Sequence, residues 1–232
     1  MGPEQEDQDS GATEAPVQKK AEPVEELPEP VEDYDYAPPG RDVILIFAVF
    51  FEGGLAPLAL FVGWLLGHPA LGHFQWTFND GLLGAALAVP LILAFLAIMH
   101  GPIGPLKRFQ KFCDEEVTPL FAHSYWSEIA LVALSAGVGE EMLFRGALQA
   151  SFCDWIGAQW GLTVSSLVFG LLHPISITYV VIAGCIGLYL GTVYYLNGNL
   201  LTVMVTHAVY DFAALGYLVR IRAGDDFAAE GE

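Results

Sequence analysis

From Asp42 onward, apolar runs alternate with short polar or Pro/Gly breaks. The first run, Val43 to Leu66, is long enough to cross about 30 Å of hydrocarbon. Glu52, Gly53, Gly54 and Pro57 interrupt it, so it reads as a kinked helix with Glu52 facing the bundle or a water pocket, where it either gates the site or merely faces water, the latter being the expectation. The second run is Gly81 to Met99. Gly101 to Ser124 is mixed in polarity and predicts a short amphipathic helix along the membrane surface. The third run covers Trp126 to about Ala150, and the fourth Trp160 to His173, ended by Pro174. The fifth, Ile175 to Leu196, stops at Asn197–Gly198–Asn199. The sixth, Leu200 to Leu218, is followed by Arg220 and Arg222. The expected fold is an all-α polytopic membrane protein of six spanning helices around an intramembrane polar cavity. No internal repeat is evident.

Composition sharpens this picture. The chain is 54% hydrophobic with a net charge of -18, and its mean hydropathy is +0.47. Twelve acidic residues, two lysines and seven of the 14 prolines fall in residues 1–40. Such a segment buries too little apolar surface to offset its ordering entropy, so residues 1–41 read as a disordered acidic tail. It shows no basic-then-apolar signal-peptide pattern. Residues 42–222 form the membrane domain, and 223–232 a short polar tail. The acidity excludes nucleic acid as a partner, because phosphates would be repelled. Cys113, Cys153 and Cys185 lack metal-site spacing, and no disulfide is expected.

Lysine and arginine set the orientation. Lys19, Lys20 and Arg41 precede the first run, Lys107, Arg108 and Lys111 follow the second, and Arg220 and Arg222 follow the sixth. Six crossings put all of them, and both termini, on the cytoplasmic side. The loops at roughly 67–80 and 151–159 carry no Lys or Arg.

Ionisable residues inside spanning helices are rare and usually functional. Here they are Glu140, Glu141 and Arg145 on the third run, His173 on the fourth, and His207 and Asp211 on the sixth. Residues four apart share a helix face. Glu141 therefore pairs with Arg145, and Asp211 holds the His207 imidazole. Glu140 points about 100° away from Glu141, toward a different partner. Phe169, one turn before His173, walls the site. Gly137 and Gly139 let neighbouring helices come close. One carboxylate and two imidazoles in a dry pocket suit activation of water for amide hydrolysis. The same set, Glu140, His173 and His207, suits Zn²⁺. A proton-coupled transporter would use similar groups, but paired broken helices are missing.

These residues resemble a known family. Glu140–Arg145 ("EEMLFR") is similar to the EExxxR motif of the CPBP intramembrane proteases, the family of type II CAAX prenyl endopeptidases and bacterial Abi proteins. Phe169–His173 ("FGLLH") resembles its FxxxH motif, and His207–Asp211 ("HAVYD") its third, a histidine four residues before Asn or Asp. The resemblance covers roughly residues 125–215. It implies an endopeptidase in which Glu140 activates water with help from His173, His207 and Asp211 stabilise the oxyanion, and Glu141 and Arg145 order the site. It allows a glutamic or a zinc enzyme; the expectation is the metal-free form, with no cofactor. A non-catalytic immunity or scaffold protein of the same fold is the alternative.

The implied partners are the lipid bilayer and a protein or lipidated-peptide substrate, and the implied location is a bacterial inner membrane. CAAX processing removes a C-terminal tripeptide beyond a prenylated cysteine on the cytosolic side. Depth arithmetic instead places Glu140 about 22 Å from the cytoplasmic start of its helix. That favours the outer half of the membrane, and cleavage of exported proteins near a C-terminal anchor. His173, on a helix beginning at Trp160, fits that depth poorly.

Overall fold

Four helices of the computed structural model are long and apolar enough to cross a membrane: Asp42–Leu66, Phe78–His100, Ile177–Asn197 and Leu200–Ile221. The structure describes Gly2, residues 40–102 and residues 104–222. The expected acidic and C-terminal tails lie outside the described residues, apart from Gly2, Gly40 and Arg41. All regular structure among the described residues is helical.

Helix α1, Arg41–Leu66, runs through Pro57 and ends on Gly67, whose φ of 76° suits a residue without a Cβ. Its faces are largely apolar and exposed, as at Phe47, Phe50 and Trp64, which fits contact with lipid. Helix α2, Phe78–His100, begins at Thr77, whose side chain accepts from the Asp80 N–H at 3.2 Å. Helix α3, Gly104–Phe112, continues through a π-helical turn, Cys113–Val117, into α4, Thr118–Phe121. This is the expected amphipathic segment. Its apolar side, at Phe109 and Cys113, is buried against α2 and the end of the last helix, while Lys107, Arg108 and Lys111 are exposed.

Helix α5, Trp126–Glu141, leads without a break into a π-helical segment, Met142–Gln149, and then α6, Ala150–Ile156. The third predicted run thus extends six residues beyond Ala150 and removes most of the expected 151–159 loop. Gly157, at φ 86°, is what stops it. Helix α7, Ala158–Leu171, has 14 residues and spans about 21 Å at 1.5 Å per residue, short of a full crossing. It starts two residues before the expected Trp160. It also ends two residues before His173, which therefore sits in the turn beyond the helix. Pro174 explains this, since the residue before a proline is kept out of helical geometry. Helix α8, Ile177–Asn197, is capped by Ser176, which accepts from Tyr179 N–H at 3.1 Å. Helix α9, Leu200–Tyr217, begins on Asn199 and ends in a π-helical turn, Leu218–Arg222.

Helix α9 is the centre of the bundle and packs against α2, α5 and α8. Small residues set these spacings, as lipid supplies little hydrophobic drive between helices. A Cβ on Gly137 would stand 2.8 Å from the Ala208 nitrogen and the Met204 oxygen of α9. Gly139 lies directly under the backbone carbonyl of Glu52, so α1 rests on α5 at the level of the two glutamates. Replacing Gly139 with Ala is expected to destabilise the protein by about 1–3 kcal/mol through overpacking. Gly53→Ala meets nothing within 4 Å and is the control. Thermal unfolding in detergent reads both, and equal melting of the two variants would refute this packing.

The two ends of the bundle differ. Trp64, Trp76, Trp155 and Trp160 are exposed at the end where α1 and α8 finish, as an interfacial belt would be. Asn199 closes that end. Its Nδ2 donates to the Gln75 carbonyl at 3.0 Å and to Asp80 at 2.9 Å, and its Oδ1 accepts from the Gln75 N–H at 3.1 Å. The opposite end carries α3, α4 and the basic residues.

Candidate active site

Five of the six ionisable residues singled out above converge with His173 on one region between α1, α5, α7 and α9. Glu141 lies wholly buried on the last turn of α5. Its Oε1 accepts from Arg145 Nη1 at 2.8 Å, the expected pair. The same oxygen also accepts from His207 Nδ1 at 2.7 Å, across 66 residues of sequence. Glu141 therefore bridges Arg145 and His207, a contact that helical spacing does not reveal. Arg145 spends its other terminus on the Gly187 carbonyl of α8, with Nη2 at 3.0 Å. Its guanidinium lies 4.6 Å from the Phe169 ring centroid, a cation–π distance.

Asp211 was expected to hold His207. Its Oδ2 stands 3.3 Å from His207 Nε2, on the other side of the ring from Glu141, so the shorter tie belongs to Glu141. Both ring nitrogens of His207 thus face carboxylates. A neutral imidazole donates from one nitrogen only, so an imidazolium is the form that donates to both.

Glu140 is buried, and its Oε2 has no hydrogen-bond partner. His173 Nε2 stands 3.8 Å from its Oε1, and His207 Nε2 3.9 Å from its Oε2. These gaps exceed a direct hydrogen bond and match the reach of a bridging water. His173 is fixed from behind, where its Nδ1 lies 2.7 Å from the Phe169 carbonyl oxygen and can donate to it. The Phe169 ring packs on it at 4.8 Å between centroids.

Glu140, Phe169, His173, His207 and Asp211 line a cavity of about 410 Å³. Its remaining wall is mostly aromatic and aliphatic, with Phe109, Phe112, Val117 and Phe121 from α3, α4 and the turn between them. The amphipathic segment is therefore part of the cavity wall as well as a surface helix. The cavity extends toward the end that carries α3 and the basic residues. The reason is the short α7, which lets His173 meet Glu140 from a turn near that end.

Glu52 is the residue that sequence reasoning undervalued. It lines the same cavity from α1, its carboxyl stands beside that of Glu140, and its Oε2 is buried without a hydrogen-bond partner. A carboxylate inside an apolar run was the available signal; its partner was not, because α1 lies far from the motifs in sequence. The π-helical segment directly after Glu141 also had no signature. π-Turns are frequent at functional sites, and this one begins at Met142, directly beneath the two glutamates.

For zinc, Glu140, His173 and His207 do converge, but no group of three His, Cys, Asp or Glu among the described residues is arranged to hold a metal ion. The donor set as placed does not fit the metal.

Four apolar helices of membrane-spanning length point to an integral membrane protein, and a cavity lined by carboxylates and imidazoles lies among its helices. Residues 122–213 match the family model described as type II CAAX prenyl endopeptidase Rce1-like. The matched segment is 92 of the chain's 232 residues, and the likeness is one of that segment. It contains all three motifs and leaves α1 and α2 outside. No curated protein and no solved structure matches the chain.

Proposed function

We propose that the protein is a metal-free intramembrane endopeptidase that cleaves a membrane-anchored protein substrate near its anchored or C-terminal segment. The observation that carries this reading is the unpartnered Oε2 of buried Glu140, in a cavity between two imidazoles at 3.8 and 3.9 Å. Glu140 takes a proton from a water bridging it to His173 as that water attacks the scissile carbonyl carbon. The carbonyl oxygen becomes an oxyanion and accepts from His207 Nε2–H, while Glu141 holds the opposite side of the imidazolium. On collapse the C–N bond breaks, and the proton held by Glu140 passes to the leaving amine.

In this mechanism Asp211 orients His207 and is itself only an acceptor when ionised. An amide at 211 would donate to the oxyanion directly. Asp211→Asn is therefore expected to keep activity within about tenfold, whereas Asp211→Ala loses about 10²-fold or more, the usual scale for an oxyanion-site group. Equal losses in both would refute the assigned role.

The reaction is placed in a bacterial inner membrane with both termini cytoplasmic, so the cavity opens toward the cytoplasm. The test compares, by mass spectrometry, the C-termini of membrane proteins in cells carrying the wild-type chain and cells carrying Glu140→Gln. Shortened C-termini seen only with the wild type are expected. Identical termini in both would overturn the reading.

A further inference from the structure

Glu52 lines the cavity from α1, outside the segment that matches the family model. Its backbone carbonyl lies directly over Gly139, so α1 is seated on α5 one residue from Glu140. Its carboxyl stands in hydrogen-bonding contact with that of Glu140. Each of the two carboxyls also keeps a buried Oε2 without a hydrogen-bond partner. Two ionised carboxylates in contact repel each other, and neither has a hydrogen to donate. The contact therefore needs either a cation shared by the two groups or a proton on one of them.

The cations near the pair are committed elsewhere. Arg145 gives its terminal nitrogens to Glu141 and to the Gly187 carbonyl. The His207 ring lies between Glu141 and Asp211, at 2.7 and 3.3 Å. His173 points Nε2 at Oε1 of Glu140 and turns Nδ1 to the Phe169 carbonyl. The remaining polar groups on the cavity wall, Cys113 after α3, Tyr179 of α8 and Tyr210 of α9, bring a thiol and two hydroxyls and no positive charge. A proton is what remains to join the carboxyls.

We infer that Glu52 is a positioning residue for Glu140: it holds the proton of a carboxyl–carboxylate pair and donates it in a hydrogen bond to the Glu140 carboxylate. The negative charge belongs on Glu140 because both imidazoles, at 3.8 and 3.9 Å, face that residue. This deepens the protease reading above and rests on it. Glu140 remains the group that takes a proton from water, and Glu52 acts through it by fixing its orientation.

The experiment compares the full chain in proteoliposomes with Glu52→Gln and Glu52→Leu, on a farnesylated-cysteine peptide with three aliphatic residues after the cysteine. The Gln amide can donate as a protonated carboxyl does, and should keep kcat within about threefold. Leu fills a similar volume without a donor. It should lower kcat by about 10–10²-fold with little change in KM, the scale for one hydrogen bond to a charged group. A side chain that only filled space would be replaced by Leu without loss of kcat. Infrared spectra at neutral pH give a readout independent of cleavage: the C=O stretch of a protonated carboxyl should be present in the wild type and lost in Glu52→Gln. A Gln variant as slow as the Leu variant, a Leu variant as fast as the wild type, or a band that survives in Glu52→Gln overturns the inference. The two readings fail separately. Cleavage by the wild type with a surviving band sinks the inference and leaves the protease. A band lost as expected, in a wild type that does not cleave, sinks the protease reading and the positioning role and leaves only the shared proton.

Discussion

Glu140→Gln is expected to lower cleavage by about 10³-fold, within the range for loss of a general base, while the protein still inserts and melts close to the wild-type temperature. The substitution keeps the shape and removes the charge that accepts a proton from water. It breaks no hydrogen bond at Oε2, because that atom has none. The neighbouring imidazoles, at 3.8 and 3.9 Å, are too far to be held by Glu140 directly. Turnover of a cleaved membrane substrate, measured beside thermal unfolding in detergent, reads both halves. Activity within threefold of wild type would remove Glu140 from the mechanism.

The adjacent glutamate should behave differently. Glu141→Ala is expected to cost about 3–5 kcal/mol of stability, the scale for leaving a buried ionic partner uncompensated. Arg145 is 2% exposed and would keep only the Gly187 carbonyl, while His207 would lose its 2.7 Å anchor. Activity should fall with stability, because the ring that faces the oxyanion is no longer oriented. Glu141→Gln still offers an oxygen to Arg145 and should fall between the two. Thermal unfolding together with cleavage rates separates the glutamates. A Glu141→Ala protein as stable as the wild type would show that Glu141 is not the bridge described here.

That contrast was half legible in the sequence. The spacing of four between Glu141 and Arg145 gave their pair, and the 100° turn between adjacent residues separated Glu140 from it. The second bond of Glu141, to His207, was hidden. It joins two helices, and the motif spacing suggested Asp211 in its place. Gly137 and Gly139 were readable as points of close approach, but not as the seats of α9 and α1. Of the six expected runs, four are helices of membrane-spanning length. The third became a longer composite helix, and the fourth a 14-residue helix that stops before His173.

The sequence by itself determined what is written within a turn or two of helix. Apolar runs and their Pro, Gly and Asn breaks located the helices. The i, i+4 spacing aligned Glu141 with Arg145, and His207 with Asp211. Three ordered motifs indicated the chemistry. The tertiary structure alone decided what depends on how helices lean on one another. It put Glu52 beside Glu140, made Glu141 the shared anchor of Arg145 and His207, and closed the cavity with α3 and α4. The physical reason is one of range. Helix geometry repeats every 3.6 residues and leaves a local signature, whereas the partner of a buried charge is chosen by packing between segments dozens of residues apart.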